Sequence, residues 1–336
     1  MIVKPEIGDK EVEAFATEYQ RLHEALNEVI VGQQPVISQL LIAILAGGHV
    51  LLEGMPGLGK THLAKSLAGA TGLPFSRIQS TPDLMPSDIT GSEVLIDDHE
   101  TGARNFEFRE GPIFSSFVLV DEINRASPKT QAALLEAMQE TQVTFASKRH
   151  PLPKPFWVVA TQNAIELEGT YILPEAQLDR FIAKIVIEYP NREALQALID
   201  TSLDEEPTDR MDVVVPAELI EEMMRNATGV IMSRHVREAA IELVLATHPG
   251  NDTPLASLGH HFKYGASPRA IQALLKMARV HAIAKCRAHV GIVDIAAIAL
   301  PALQHRVCLT IESELDNIRI DQALQELVSA WQEKWT

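Results

Sequence analysis

The chain has 336 residues, 46% of them hydrophobic, and a formal net charge of −16 from 45 acidic and 29 basic side chains. That is enough length and apolar content for about two domains, and the acidic balance argues against a general polyanion binder without excluding a local basic patch. Two cysteines, Cys286 and Cys308, are too few for a disulfide framework, so a reducing, cytoplasmic setting is expected.

The opening residues, MIVKPEIGDKEVEAF, lack the apolar core of a signal peptide. Residues 10–29 place Ala14, Leu22, Leu26 and Val29 at helical spacing and predict an amphipathic helix. The run ISQLLIAILAGGHVLL is broken by Gly47, Gly48 and His49. A membrane helix needs about 20 apolar residues, so this run reads as a core helix leading into a buried strand, and no membrane span is expected. In a cytoplasmic protein the sequons at Asn226 and Asn251 carry no meaning.

Four apolar runs, HVLLEG, FVLVDE, FWVVATQN and FIAKIVIEYP, alternate with helical segments, and PFSRIQS is a weaker fifth. Short continuous apolar strands between helices predict a mostly parallel sheet covered on both faces. Residues 200–216 are acidic and proline-bearing, as a surface connection would be. Helical patterns follow near 217–227, 233–247, 268–286, 292–305 and 319–333. The expected organisation is an α/β unit followed by a helical one.

The segment GMPGLGKT, Gly54 to Thr61, matches G-x-x-x-x-G-K-S/T between a strand and a helix, the context that confirms a phosphate-binding loop. Gly54, Gly57 and Gly59 let the backbone curl until its N–H groups face a β-phosphate, and the helix N-terminus adds positive potential. Lys60 would reach the β- and γ-phosphates, and the Thr61 hydroxyl would hold Mg²⁺.

In FVLVDEINRASPKTQAALLEAMQE, Asp121 and Glu122 directly follow an apolar strand. Acids there can cap the next helix. With a phosphate loop in the chain they have a second reading, Asp121 completing the Mg²⁺ shell and Glu122 polarising an attacking water. Two adjacent carboxylates can stay ionised there because the metal offsets their charge. Both roles can coexist. Gln162 and Asn163 end another strand, where an amide can orient that water or simply start a turn.

These segments resemble the MoxR family of AAA+ ATPases. The likeness is carried by the phosphate loop, RIQSTPDLMPSDITGSEVL, GPIFSSFVLVDEINRASPKTQAALLEAMQE and ATQNAIELEGTYILPEAQLDRF, over residues 30–190, and more thinly by GASPRA. It implies a P-loop core with a parallel five-stranded sheet over residues 1–189, then a linker and small all-helical lid over 190–336. An insertion within the second helix is expected at about 80–109 and a hairpin at about 142–156, both facing the centre of a ring, typically a hexamer.

The resemblance also implies roles. Val31 and Gly32 in VIVGQ fall where backbone holds adenine, and Pro56, Leu58 and His62 join the loop residues in binding ATP. Asn163 falls on sensor 1, Arg180 on an arginine finger offered to a neighbouring subunit, and Arg269 on sensor 2, reporting nucleotide state from the lid. A molecular chaperone activity is implied, one that remodels or matures a client complex, as in cofactor insertion, with a von Willebrand factor A domain partner. Family members often carry Pro where Ala164 and Ile172 stand here.

Other readings stay open. The basic segment SKRHPLPKP, with Lys148, Arg149, His150 and Lys154, is a partner-contacting loop or a solvated hairpin tip. It favours a nucleic-acid remodelling motor, although the net charge makes nucleic acid the less expected partner. A small-molecule kinase and a nucleotide-gated adaptor complete the alternatives. Adjacent His260 and His261 are not expected to converge on a metal. Cys286 and Cys308 are expected to pack as small apolar residues. Met223 and Met224, with Leu219 and Ile220, read as a helix face meeting the core, and Trp331 and Trp335 as the last core helix.

Overall fold

Val12, Phe15, Tyr19, Leu22 and Leu26 are the buried residues of the first helix, α1 (Asp9–Val29), spaced to line one helical face. Ala14 and Val29, expected on that stripe, are both exposed. Helix α2 (Gln34–Leu45) is buried continuously from Leu40 to Leu45, as a helix enclosed by other elements must be. Among the described residues no helix is long and apolar enough to cross a membrane.

The computed structural model describes residues 7–97, 104–163, 170–196, 211–250 and 252–336. Residues 98–103 of the expected insertion, Ala164, residues 200–210 of the acidic connection and Asn251 lie outside them.

The strands of the first half are β1 (Val50–Gly54), β2 (Phe75–Gln79), β3 (Gly91–Asp97), β4 (Arg104–Glu110), β5 (Phe117–Asp121), β6 (Gln142–Phe145), β7 (Lys148–Pro151), β8 (Trp157–Gln162) and β9 (Ala183–Ile187). Five of them form one parallel sheet in the order β2-β5-β8-β1-β9. The helices between them are α3 (Lys60–Thr71), α4 (Pro86–Thr90), α5 (Pro128–Glu140) and α6 (Glu175–Leu178). Strand β5 is buried throughout. Phe117 and Leu119 enter the core shared with α1, α2 and α3, while Val118 and Val120 enter a second core with Leu134, Leu135 and Met138 of α5. The register sets Gln79 beside Asp121 and Glu53 beside Gln162, so polar groups collect at the carboxyl ends of the strands, where open α/β sheets bind ligands.

Strands β3 and β4 form an antiparallel hairpin within the expected insertion, and β6 and β7 a second one. The second turns through Ala146 and Ser147, both at positive φ (45° and 65°), the conformation of a tight two-residue hairpin. Phe108 of β4 stacks on His150 of β7, ring centroids 4.0 Å apart, and joins the two hairpins. The basic tip is solvent-facing: Lys148 and Arg149 are exposed.

The second half packs α7 (Ala217–Gly229), α8 (Arg234–Ala246), α9 (Pro268–Ala284), α10 (Ile292–Leu303), α11 (Ile311–Leu315) and α12 (Ile320–Trp335). It is not purely helical, because β10 (Phe262–Tyr264) and β11 (Cys308–Leu309) pair as a short antiparallel ribbon. Ile220 and Met223 are buried in the core, with Met224 packed against it. Trp331 is fully buried and its indole N–H donates to Ala239 O at 2.8 Å, while Trp335 is partly buried against Glu242.

Asp294 is fully buried. Burial pushes its carboxyl up, but hydrogen bonds from His281 (2.6 Å), Arg287 (2.8 Å) and the Gly291 N–H (2.7 Å) prevail and hold it below the usual carboxylate range.

One expectation fails here for a local reason. Cys286 is exposed, in the left-handed region (φ 56°) just past α9, and so does not pack as an apolar residue. The rings of His260 and His261 lie against each other, centroids 3.9 Å apart, in a 3₁₀ turn (Gly259–His261). Even so, among the described residues no group of His, Cys, Asp or Glu could hold a metal ion.

Candidate active site

The phosphate loop runs from the end of β1 into α3. Gly57 and Gly59 lie at φ 83° and 76°, and a Cβ at either would meet nothing within 4 Å. The left-handed backbone, and not lack of space, calls for glycine there. The loop faces solvent at Met55, Pro56, Gly57 and Gly59, with Leu58 half-buried. Gly59 caps α3 without a side chain, and a helix N-terminus that follows such a glycine loop fits a polyphosphate.

Lys60, first in the helix, is 8% exposed. Its ammonium donates to Gly54 O (2.6 Å), Met55 O (2.9 Å) and Asn163 Oδ1 (3.1 Å). The Asn163 amide then donates to Glu122 Oε1 at 3.0 Å. One strand-end asparagine therefore ties the loop lysine to the acid after β5. The other Glu122 oxygen lies 3.2 Å from Arg125 Nε and 3.4 Å from Gln79 Nε2. Glu122 itself is left-handed (φ 54°, ψ 50°), a conformation that costs about 1–3 kcal/mol for such a residue and collects at functional sites.

Asp121 is 5% exposed and surrounded by donors. The Thr61 hydroxyl lies 3.1 Å from Oδ2, Arg77 Nε 2.7 Å from Oδ2, and the Thr161 hydroxyl 3.0 Å from Oδ1. Thr161 also accepts the Glu122 N–H at 2.9 Å. Helix capping does not explain this pair. The cap of α5 is Ser127, whose hydroxyl accepts the Thr130 N–H, and the turn Ile123–Arg125 intervenes. Thr61 and Asp121 together offer the hard oxygen donors that Mg²⁺ prefers.

Arg180 and Arg269 lie elsewhere. Both line a cleft of about 660 Å³ that contains no residue of the phosphate loop. Arg180 donates to Leu135 O at 2.7 Å, and its Nε is buried without a partner. Arg269 is 3.6 Å from Asp179. The lid thus sets Arg269 beside the expected arginine finger and away from Lys60 and Thr61.

Gly32 borders a different cleft of about 670 Å³ between core and lid, with Gln33, Glu53, Lys184, Tyr189 and Gln304. Gly32 is at φ 77°, and a Cβ there would come within 2.4 Å of the Ala194 Cβ. Val31 is half-buried and outside this cleft, and His62 is half-buried in the first turn of α3. Sequence reasoning missed Arg77, Thr161, Asp179, Ser267 and Arg306. Thr161, directly before Gln162, and Asp179, directly before Arg180, each had a neighbour that could have flagged it.

A family model described as the ATPase family associated with various cellular activities matches residues 49–183, and one for the AAA lid domain matches residues 259–327. The chain is 41% identical to the uncharacterized protein YeaC of Bacillus subtilis over 312 residues, 91% of this chain and 92% of that one. It is 37% identical to the chaperone MoxR1 of Mycobacterium tuberculosis over 91% of this chain and 80% of the relative, and 32% identical to MoxR of Methylorubrum extorquens over 90% and 91%. The crystal structure of a candidate ATPase from Cytophaga hutchinsonii superposes with a TM-score of 0.86 at 38% identity, covering 95% of this chain and 96% of that one. A P-loop core with a parallel five-stranded sheet and a helical lid, joined to these relatives along nearly its whole length, identifies the chain as an ATP-hydrolysing member of the MoxR family of AAA+ ATPases.

Proposed function

We propose that the chain forms a ring, typically a hexamer, that hydrolyses ATP with Mg²⁺ at sites shared between subunits, and that it acts as a chaperone on a client complex. The observation that carries this reading is the division of polar residues into two groups. Lys60, Thr61, Asp121, Glu122 and Asn163 are joined by hydrogen bonds at the phosphate loop, whereas Arg180 and Arg269 share another cleft. Cations that do not reach their own loop are available to a neighbour's.

On this reading Gly54, Gly57, Gly59 and the α3 N-terminus bind the phosphates, with Pro56, Leu58 and His62 around them. Val31 and Gly32 contact adenine. Mg²⁺ held by Thr61 and Asp121 would offset charge on the β- and γ-phosphates. Glu122 Oε1 takes a proton from the attacking water as general base. Asn163 fixes that carboxylate and the Lys60 ammonium relative to each other. Arg180, with Arg269, stabilises the charge that builds on the neighbour's γ-phosphate, a contribution that can reach about 10³ to 10⁵ in rate.

The core would span residues 1–189 and the linker and lid 190–336. The cytoplasm is the proposed location. The chaperone role is supported by the name of the mycobacterial relative. A von Willebrand factor A domain partner and the maturation of a client, as by cofactor insertion, rest on the resemblance. Sedimentation with and without ATP and Mg²⁺ tests the ring. The expected result is a higher assembly whose turnover per subunit rises with protein concentration; a fully active monomer would support a small-molecule kinase instead.

The exposed Lys148 and Arg149 favour a second reading, a nucleic-acid remodelling motor. It predicts DNA-stimulated ATPase activity that falls steeply with salt.

A further inference from the structure

The segment bearing Arg180 is fastened to the lid through the residue before it. Ser267 donates to both oxygens of the Asp179 carboxylate at 2.8 Å, and Arg306 Nε donates to Oδ1 at 2.8 Å. Arg306 is 3% exposed and wraps the same segment, reaching Phe181 O at 2.6 Å and Ile182 O at 3.2 Å. Ser267 is also the N-cap of α9, accepting the Arg269 N–H at 3.2 Å. One carboxylate therefore joins the chain that presents Arg180 to the helix end that presents Arg269.

The contacts divide into tight and loose. The bonds to Ser267 and Arg306 are short and shielded. The Arg269 guanidinium is 48% exposed and lies 3.6 Å from Asp179 Oδ2, a contact of the kind that holds little energy in water. Arg180, Arg269, Lys276 and Arg306 all line the 660 Å³ cleft, where the acids Asp179 and Glu221 offset their mutual repulsion. The tight bonds fix where α9 begins, and the loose pair leaves Arg269 free to turn toward a stronger anion.

We propose that Asp179 is a positioning residue that keeps Arg269 in register with Arg180, so that both cations meet one phosphate group of a neighbouring subunit's nucleotide. The proposal rests on the shared-site reading above. Asp179 touches no substrate; it acts through Arg269 and the segment around Arg180.

The test is ATP turnover of Asp179→Asn rings, alone and mixed with Glu122→Gln subunits, beside Arg180→Ala treated identically. Misplacing Arg269 should lower turnover between about 10- and 100-fold, while affinity for a fluorescent ADP analogue at the intact phosphate loop stays within about twofold of wild type. Glu122→Gln subunits hydrolyse poorly but offer intact arginines, so mixing should raise turnover per Asp179→Asn subunit. A purely structural defect gains nothing from such a neighbour. Because Asp179→Asn leaves Arg306 buried and unpaired, Asp179→Asn/Arg306→Met is made as well, since apolar replacement of a buried pair is commonly tolerated; it should show the same loss and the same rescue. Wild-type turnover in either variant, or loss without rescue while Arg180→Ala is rescued, overturns the positioning role. Wild-type turnover in Arg180→Ala overturns the shared-site reading beneath it.

Discussion

The side-chain amide of Asn163 donates to Glu122 Oε1 at 3.0 Å while its carbonyl oxygen accepts from the Lys60 ammonium at 3.1 Å. The proposed general base and the phosphate-loop lysine are thereby held at a fixed spacing by the end of strand β8. The arrangement makes Glu122 and Asn163 separable by experiment.

Glu122→Gln should retain ATP and lose turnover by about 10² to 10⁴, the usual contribution of a general base. Asn163→Ala should lose less, because Arg125 and Gln79 still hold the other Glu122 oxygen. Phosphate release under saturating ATP, with nucleotide affinity measured in parallel, checks both. Equal turnover of Glu122→Gln and wild type would remove the base assignment.

Thr161 is 1% exposed, donates to Asp121 and accepts the Glu122 N–H. Thr161→Val keeps the shape and deletes both bonds, so urea denaturation should show a loss of about 1–3 kcal/mol. Turnover should fall with it, since both acids lose an anchor. An unchanged midpoint with unchanged turnover would contradict the role given to this hydroxyl.

His49 predicts acid sensitivity. Burial among apolar neighbours pushes its imidazole down to about 4, against the opposing effect of its bond to Met138 O. Its Nδ1 accepts the Val158 N–H, so the ring is neutral with the proton on Nε2. The unfolded imidazole titrates near 6.5, so between those values the unfolded chain binds more protons and stability falls as pH falls. At pH 5 this one group accounts for a loss of about 2 kcal/mol relative to pH 7.5. Buried His305, also held low by burial, acts in the same direction. Urea midpoints at both pH values should differ accordingly, and His49→Phe should flatten the difference.

Much of this was legible in the sequence because it depends on local pattern. The five apolar runs became the five parallel strands, and the helical patterns after residue 216 fell on α7 to α10 and α12. The phosphate loop was readable because its glycines, lysine and threonine are contiguous. Asn163 was ambiguous as a strand-end amide and fell on sensor 1 by resemblance; the fold sets it between Lys60 and Glu122. What stayed hidden depends on pairing between distant segments. Arg77 meets Asp121 only through the β2–β5 register, and Asp179 meets Ser267 and Arg306 only because the lid docks beside the segment around Arg180. The α1 stripe was misplaced because two apolar residues, Ala14 and Val29, were counted on a face that Val12, Phe15 and Tyr19 define.

The claim that one active site is built from two subunits is tested most directly by mixing Arg180→Ala with Glu122→Gln. Each preparation alone should turn over slowly, the first for want of a donated arginine and the second for want of a base. In a mixed ring the Glu122 of an Arg180→Ala subunit can meet the Arg180 of a Glu122→Gln neighbour. Turnover of the mixture should therefore rise well above the sum of the two preparations. Mixed rings that form and show only that sum would contradict a shared site.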